Sequence, residues 1–87
     1  MKIKDGYLLR EIAGNYVVVP VGNVDFDGMI SLNDAGVFIW KQLEEETTFE
    51  SVLSAFLNEY EIDEATAKSD LDAFLKKMRD SGLLYES

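Results

Sequence analysis

The sequence contains no cysteine and no histidine. Without a thiol it can form no internal disulfide, and it offers no thiolate as a nucleophile or metal ligand. Without an imidazole it lacks the usual general base and the commonest metal ligand. It has no glycine-rich phosphate loop either, so no convincing nucleophile–base pair remains. We therefore expect a protein that is not an enzyme and that holds no cofactor.

Long hydrophobic runs are also missing. No apolar run approaches membrane-spanning length, and the N-terminal residues MKIKDGYLLREI lack the apolar core of a signal peptide. The 87 residues are 47% apolar and 29% charged, which is a globular composition. We expect one domain over residues 1–87 and a cytoplasmic location.

Positive charge is scarce. Eight Lys and Arg stand against 17 Asp and Glu, for a net charge of −9. Residues 1–43 carry four bases and five acids, a balance of −1, whereas residues 44–87 carry four and twelve, a balance of −8. An acidic half repels phosphate backbones, so a nucleic-acid partner is not expected. Solubility is the simplest account of the acidic charge.

The first third of the chain is rich in strand formers. Residues 7–13 (YLLREIA) and 16–21 (YVVVPV) predict two strands. Gly14-Asn15 between them predicts a two-residue type II′ turn, and hence an antiparallel hairpin. The irregular stretch at residues 21–27 leads to a short third strand predicted at residues 28–31, because the apolar run GMI is bounded by Gly28.

The stretch SLNDAGVFIWKQL, residues 31–43, predicts the first helix. Ser31 and Asn33 are both suitable N-cap residues, and the apolar residues that follow recur at helical spacing. Trp40, the only tryptophan, is expected in the core. The acidic run Glu44-Glu45-Glu46 opposes the helix dipole and marks the end of the helix.

Two more helices follow. Either Thr47 or Thr48 can cap the second, and the first choice would make Glu50 the partner in a capping box. Asp63 is expected to cap the third helix, and Gly82 to end it at the C′ position. The apolar residues after Gly82 are expected to fold back on the core.

Strands first and helices afterwards predict an α+β domain in which a three-stranded antiparallel sheet is followed by three helices. Three short strands cannot close into a barrel, so at least one sheet edge should stay open.

Three stretches together resemble the PqqD family, named for pyrroloquinoline-quinone biosynthesis protein D. They are LNDAGVFIW, TTFESVLSAFLNEYEID and DLDAFLKKMRDSGLL. In that family a Leu-Asn pair opens a helix containing Ile-Trp, a Thr-capped helix ends in Tyr, and the last helix closes in Gly-Leu-Leu. The resemblance covers residues 29–84.

The resemblance implies a small winged-helix-like domain and a peptide-binding adaptor. In the family, the leader of a ribosomally made, post-translationally modified precursor peptide adds as a strand beside the third strand, in a groove walled by the third helix. The domain then presents the precursor to a modifying enzyme, often a radical S-adenosylmethionine enzyme. An open edge strand is compatible with such strand addition.

Carried onto this chain, the resemblance implies peptide-binding residues on the third strand and the third helix: Gly28, Met29, Ile30, Ser31, Leu32, Asp70, Ala73, Phe74, Lys77 and Met78. Phe74 and Met78 are more readily explained as core residues than as peptide contacts, because their spacing is that of a buried helix stripe. Asp70 is either a solvated charge or the partner of a cationic leader residue.

Other functions stay open. The open edge could pair with a second copy, giving a homodimerisation module. A winged-helix DNA-binding regulator is less favoured, because the only basic cluster, Lys76-Lys77-Arg79, lies in a last helical turn. Glu44-Glu45-Glu46 and the pair Asp25/Asp27 lack the spacing of a calcium loop, so no metal site is expected.

Overall fold

The computed structural model describes residues 1–21 and 30–85. The elements in this part of the chain are β1 Lys2–Ile3, β2 Tyr7–Ile12, β3 Asn15–Pro20, β4 Ile30–Leu32, α1 Asp34–Gln42, α2 Phe49–Glu59, α3 Glu64–Asp80 and β5 Leu84–Tyr85. The predicted α+β class, with a three-stranded sheet followed by three helices, is confirmed. The two-residue strands β1 and β5, which pair with each other, were not predicted.

The main sheet is antiparallel in the order β2-β3-β4. Leu9, Val18 and Ile30 lie side by side across it, since Val18 pairs with Leu9 in β2 and with Ile30 in β4. Paired residues share a face, and Val18 is fully buried, so this row faces the core. The described part of the third strand extends one residue beyond its predicted end at Ser31, to Leu32, and Gly28 and Met29 lie outside the described residues.

The β2–β3 turn differs from its prediction by one residue. Ile12 pairs with Asn15, so the two central residues are Ala13 and Gly14, not Gly14 and Asn15. Both have positive φ, 52° and 81°. Positive φ at both positions makes this a type I′ turn, whose twist matches that of the flanking strands, so the predicted type II′ turn was wrong.

Ala13 is a poor residue for this turn, because a Cβ in the left-handed region crowds the backbone. We expect Ala13→Asn to raise the free energy of unfolding by about 0.5–1 kcal/mol, since Asn-Gly is the preferred type I′ pair. Urea unfolding measures the change. Ala65→Asn, at an exposed position of α3, is the control and should bring no gain. An unchanged midpoint for Ala13→Asn would contradict the turn geometry.

The second of the two candidate threonines caps α2. The backbone N–H of Ser51 donates to Thr48 Oγ1 at 3.2 Å. Glu50 is therefore the second helical residue rather than the third, so it cannot complete a capping box. The local sequence allowed both registers, and the structure selects Thr48.

Asp63 caps α3, as predicted. Thr66 Oγ1 donates to Asp63 Oδ1 at 2.6 Å, and the Thr66 backbone N–H donates to Oδ2 at 3.4 Å. The hydrogen bond from the Thr66 side chain holds the pKa of the Asp63 carboxyl below its ordinary value. The pKa of this carboxyl is therefore lower in the folded state than in the unfolded state. Its contribution to the stability of the fold is present above the unfolded pKa and is lost as the pH falls through the folded pKa.

We expect Asp63→Ala to lower the melting temperature near neutral pH, because α3 loses its cap. The difference from the wild type should shrink as the pH falls from about 5 through the lowered folded-state pKa, because the wild-type carboxyl is then protonated. Thermal melts across this range measure it. Glu61→Ala, which removes an exposed acid from the same connection, is the control for net charge. A difference that stays constant with pH would refute the role of the ionised carboxyl.

Gly82 ends α3 as predicted. It has a φ of 77°, and the next residue, Leu83, donates its N–H to the Met78 carbonyl at 2.9 Å. This is the Schellman arrangement, in which a residue beyond the cap satisfies a late helix carbonyl. Leu83 is fully buried, and β5 then runs beside β1, so the predicted return of this segment to the core is confirmed.

The core lies between the main sheet and the helices. Trp40 of α1, Phe56 of α2 and Leu71 of α3 are each no more than 2% exposed and belong to one cluster. The prediction that Trp40 is a core residue is confirmed. No helix within residues 1–21 and 30–85 is long and apolar enough to cross a membrane.

An aromatic cluster holds α1 against α2. The Tyr60 ring meets Phe38 and Phe56 edge to face, with centroid distances of 5.6 and 5.1 Å. Such pairs add to the burial free energy of the rings. These contacts therefore fix α1 against α2, and α1 in turn forms one wall of a groove.

Candidate functional site

A groove of about 330 Å³ lies between β4, α1 and α3. Its lining residues are Ser31, Leu32, Asn33, Ala35, Gly36, Ile39, Asp70, Ala73, Phe74 and Lys77. Most of these side chains are small or apolar, with polar groups among them. The groove can therefore accept apolar side chains and still offer a few polar contacts.

Strand β4 forms one side of the groove and is an edge of the main sheet. On one side β4 pairs with β3, where Ser31 is opposite Val17. Its other edge has no partner strand among the described residues. Unpaired backbone groups on an edge strand are a template for a further strand.

Asn33 joins β4 to α1. The Gly36 backbone N–H donates to Asn33 Oδ1 at 2.8 Å, so of the two candidate caps Asn33 is the N-cap. Ser31 remains in the strand and is exposed. The helix thus starts immediately after the strand, which keeps the first turn of α1 beside β4.

Gly36 lies beside its own N-cap and near Phe74 of α3. A Cβ at this position would lie 3.2 Å from Asn33 Oδ1 and 3.5 Å from Phe74 Cε2. The first distance is tighter than an ordinary van der Waals contact, so a side chain here would press on the N-cap. The Phe74 ring lies near α1 at this point and also lines the groove.

The α3 wall is a single helical stripe. Asp70, Ala73, Phe74 and Lys77 follow the spacing i, i+3, i+4, i+7, which places them on one face. Phe74 is 9% exposed, whereas the other three are exposed. Asp70 and Lys77 are two turns, or about 10.5 Å, apart along the axis. Neither has an ion-pair partner within the described ranges, so both charges are available to a ligand.

The structure brings six of the ten candidate residues together in the groove: Ser31, Leu32, Asp70, Ala73, Phe74 and Lys77. Ile30 and Met78 are buried in the core, at 8% and 0% exposure. Of the two residues with a double interpretation, Phe74 belongs to the core and also lines the groove, while Met78 belongs to the core. Gly28 and Met29 lie outside the described residues.

Four lining residues were not among the candidates: Asn33, Ala35, Gly36 and Ile39. Asn33, Ala35 and Gly36 lie at the start of α1 or just before it, and Ile39 lies further along the same helix. The glycine was a usable signal, because glycine inside a helical pattern costs stability and often indicates a close packing contact. Ala35 and Ile39 carry the ordinary spacing of a buried helix face and could not be distinguished from core residues, and Asn33 was identified only as a candidate N-cap.

The acidic residues are not arranged as a metal site in the described part of the chain, where no group of three or more potential ligands is gathered around one point. Asp25 and Asp27 lie outside the described residues. At the end of α3, Lys76 Nζ donates to Asp80 at 2.7 Å, so this cation is already paired.

The groove lies within a region that matches a known family. The family described as Coenzyme PQQ synthesis protein D (PqqD) matches residues 15–84. The chain belongs to the PqqD family. The match includes every residue that lines the groove of this PqqD-family chain.

A solved structure is also similar to this PqqD-family chain over its whole length. It is described as TbiB1 in complex with the TbiA(beta) leader peptide, and it has 29% sequence identity and a TM-score of 0.79, with 100% of each chain covered. No curated protein matches the sequence. The family match confirms the predicted family, and the similarity to the solved structure confirms the predicted fold.

Proposed function

We propose that this PqqD-family chain is a non-catalytic adaptor that binds the leader of a ribosomally made, post-translationally modified precursor peptide. The observation that carries the proposal is the groove between the open edge of β4 and α3. The similarity to TbiB1, whose solved structure contains a leader peptide, supports it.

The binding mode that fits this groove is strand addition. The leader pairs its backbone with β4, and the predicted strand residues Gly28 and Met29 would lengthen the pairing edge. Backbone hydrogen bonds of this kind give affinity with little dependence on sequence. Alternate leader side chains then point into the groove, because side chains alternate between faces along a strand.

Selectivity is expected from the groove walls. Leu32, Ala35 and Phe74 offer apolar contact, so leader side chains that enter should be apolar. The exposed charges of Asp70 and Lys77 at the two ends of the α3 stripe favour a cationic group near the first and an anionic group near the second.

The adaptor would then present the bound precursor to a modifying enzyme, such as a radical S-adenosylmethionine enzyme, in the cytoplasm. In this proposal the chain acts as one domain without chemistry of its own. The absence of Cys and His from the sequence supports a binding role. The occupant of the β4 edge is the leader and not a second copy.

Hydrogen exchange with the cognate leader tests the proposal. Pull-down of the tagged chain from its host and mass spectrometry identify the precursor, whose leader is then synthesised. We expect the leader to slow amide exchange in β4, at Ile30–Leu32, and to leave β2, the opposite edge of the same sheet, unchanged. Protection in β2 alone would exclude the β4 mode. Protection of β4 that grows with protein concentration without leader would indicate a second copy.

A further inference from the structure

A second groove, of about 450 Å³, lies between α2 and α3. It is lined by Phe49, Glu50, Leu53, Ser54, Leu57, Glu64 and Lys68, and we call it the α2–α3 groove. It shares no residue with the groove beside β4. The proposed leader site therefore leaves it unused.

The two grooves lie on nearly opposite sides of α3. At about 100° per residue, the mean direction of Glu64 and Lys68 is roughly 150° from that of the stripe Asp70, Ala73, Phe74 and Lys77. The two linings consequently face different sides of α3. Both can be occupied at the same time.

The floor of the α2–α3 groove is an apolar row. Phe49, Leu53 and Leu57 follow the spacing i, i+4, i+8, so they form one line of about 12 Å along α2. Phe49 and Leu57 are half-buried, so the row keeps exposed apolar surface. No strand edge borders it among the described residues. A row between two helices suits the apolar face of a third helix, not an added strand.

The segment of the chain that forms α2 and its flanking connections is strongly acidic. Residues 42–67 contain eight Asp and Glu and no Lys or Arg. All eight are exposed: Glu44, Glu45, Glu46, Glu50, Glu59, Glu61, Asp63 and Glu64. The one cation in the lining, Lys68, is 3.9 Å from Glu64 Oε2. Glu50 and Glu64 lie in the lining itself, so the rim of the groove carries negative charge, which attracts cationic partners.

We propose that the α2–α3 groove docks a basic amphipathic helix of the enzyme that modifies the precursor. The inference rests on the proposed adaptor function, because an adaptor must hold the leader and the enzyme at once. Nucleic acid is excluded by the repulsion between phosphates and the acidic rim. A helix with apolar residues at i, i+3 or i+4, and i+7 matches the length of the row, and Lys or Arg beside them meet Glu50 and Glu64.

Charge reversal with a matched control tests the docking. The variant Glu50→Lys/Glu64→Lys changes two groove residues, and Glu44→Lys/Glu45→Lys makes the same change of net charge outside the groove. Two titrations are made for each protein, one with the purified modifying enzyme and one with the synthetic leader. We expect the groove variant to bind the enzyme at least about tenfold more weakly, with leader affinity unchanged. The control should change enzyme binding by less than about twofold.

The possible outcomes distinguish a failure of the docking proposal from a failure of the proposed adaptor function. Equal weakening of enzyme binding by both variants would show an effect of net charge and would overturn the proposed docking in the α2–α3 groove. Unchanged enzyme binding by the groove variant, or no enzyme binding by the wild type, would also overturn it. Absence of leader binding by the wild type contradicts the adaptor function, whatever the enzyme titrations give.

Photo-crosslinking provides a second readout that does not depend on charge. A photoreactive side chain at the exposed position Ser54 should crosslink the enzyme, and one at the exposed position Asp70, at the end of the α3 stripe, should crosslink the leader, when both are present. Crosslinking of the leader from Ser54 would assign the α2–α3 groove to the precursor and overturn the docking.

Discussion

Replacing Ala73 by arginine should weaken leader binding by at least about tenfold while the fold stays close to the wild type in stability. Ala73 is exposed and lines the groove beside β4, so only a methyl group stands at the middle of the α3 wall. An arginine side chain there would fill the space that an apolar leader residue requires. It would also place a second cation one turn from Lys77.

Fluorescence anisotropy with the labelled leader measures this effect, and urea unfolding measures stability. The stability change should stay within about 0.5 kcal/mol, because an exposed helix position accepts arginine. Ala65→Arg, on the same helix but outside both grooves, is the matched control and should bind the leader normally. Normal binding by Ala73→Arg would remove α3 from the leader site.

Trp40→Ala should lower the free energy of unfolding by about 3–5 kcal/mol, the usual range for removing a large aromatic side chain from a core. Trp40 is 2% exposed and lies in the cluster that joins the sheet to the helices. Per-residue averages give a chain of this length a total of roughly 4–13 kcal/mol. The substitution therefore removes a large part of the stability, and we expect a much lower melting temperature.

Circular dichroism is the suitable measurement, because the variant loses the only tryptophan and with it the intrinsic fluorescence probe. Trp40→Phe keeps most of the buried ring and should lose less. Tyr85→Ala removes an aromatic that is 52% exposed and should have a small effect. A melting temperature like that of the wild type for Trp40→Ala would show that Trp40 is not a core residue.

The hairpin turn shows which features the local sequence can predict and which it cannot. A glycine at position 14 predicts a tight turn between two strands, and the turn is there. The choice between Gly14-Asn15 and Ala13-Gly14 depends on which strand residues face the core. One residue of slippage would move Leu9 and Val18 off the buried face, so tertiary packing sets the register.

The groove was predictable in part. The α3 stripe and the β4 residues were named through the family resemblance, and six of them line the groove. The contribution of α1 was missed, because only tertiary packing brings Gly36 near Phe74, almost forty residues away in sequence. The α2–α3 groove was not anticipated either, since Phe49, Leu53 and Leu57 have the spacing of ordinary core residues.

The sequence by itself determined the three helices, the hairpin and the acidic charge of the second half. These features are local, because caps such as Asp63 and stops such as Gly82 act within a turn or two of the chain. Only the tertiary structure decided the pairing of β1 with β5, where Lys4 N–H donates to the Leu83 carbonyl at 2.8 Å. It also decided which apolar stripes pack against each other and which stay partly exposed in a groove, because the burial of each side chain depends on the packing of the whole fold.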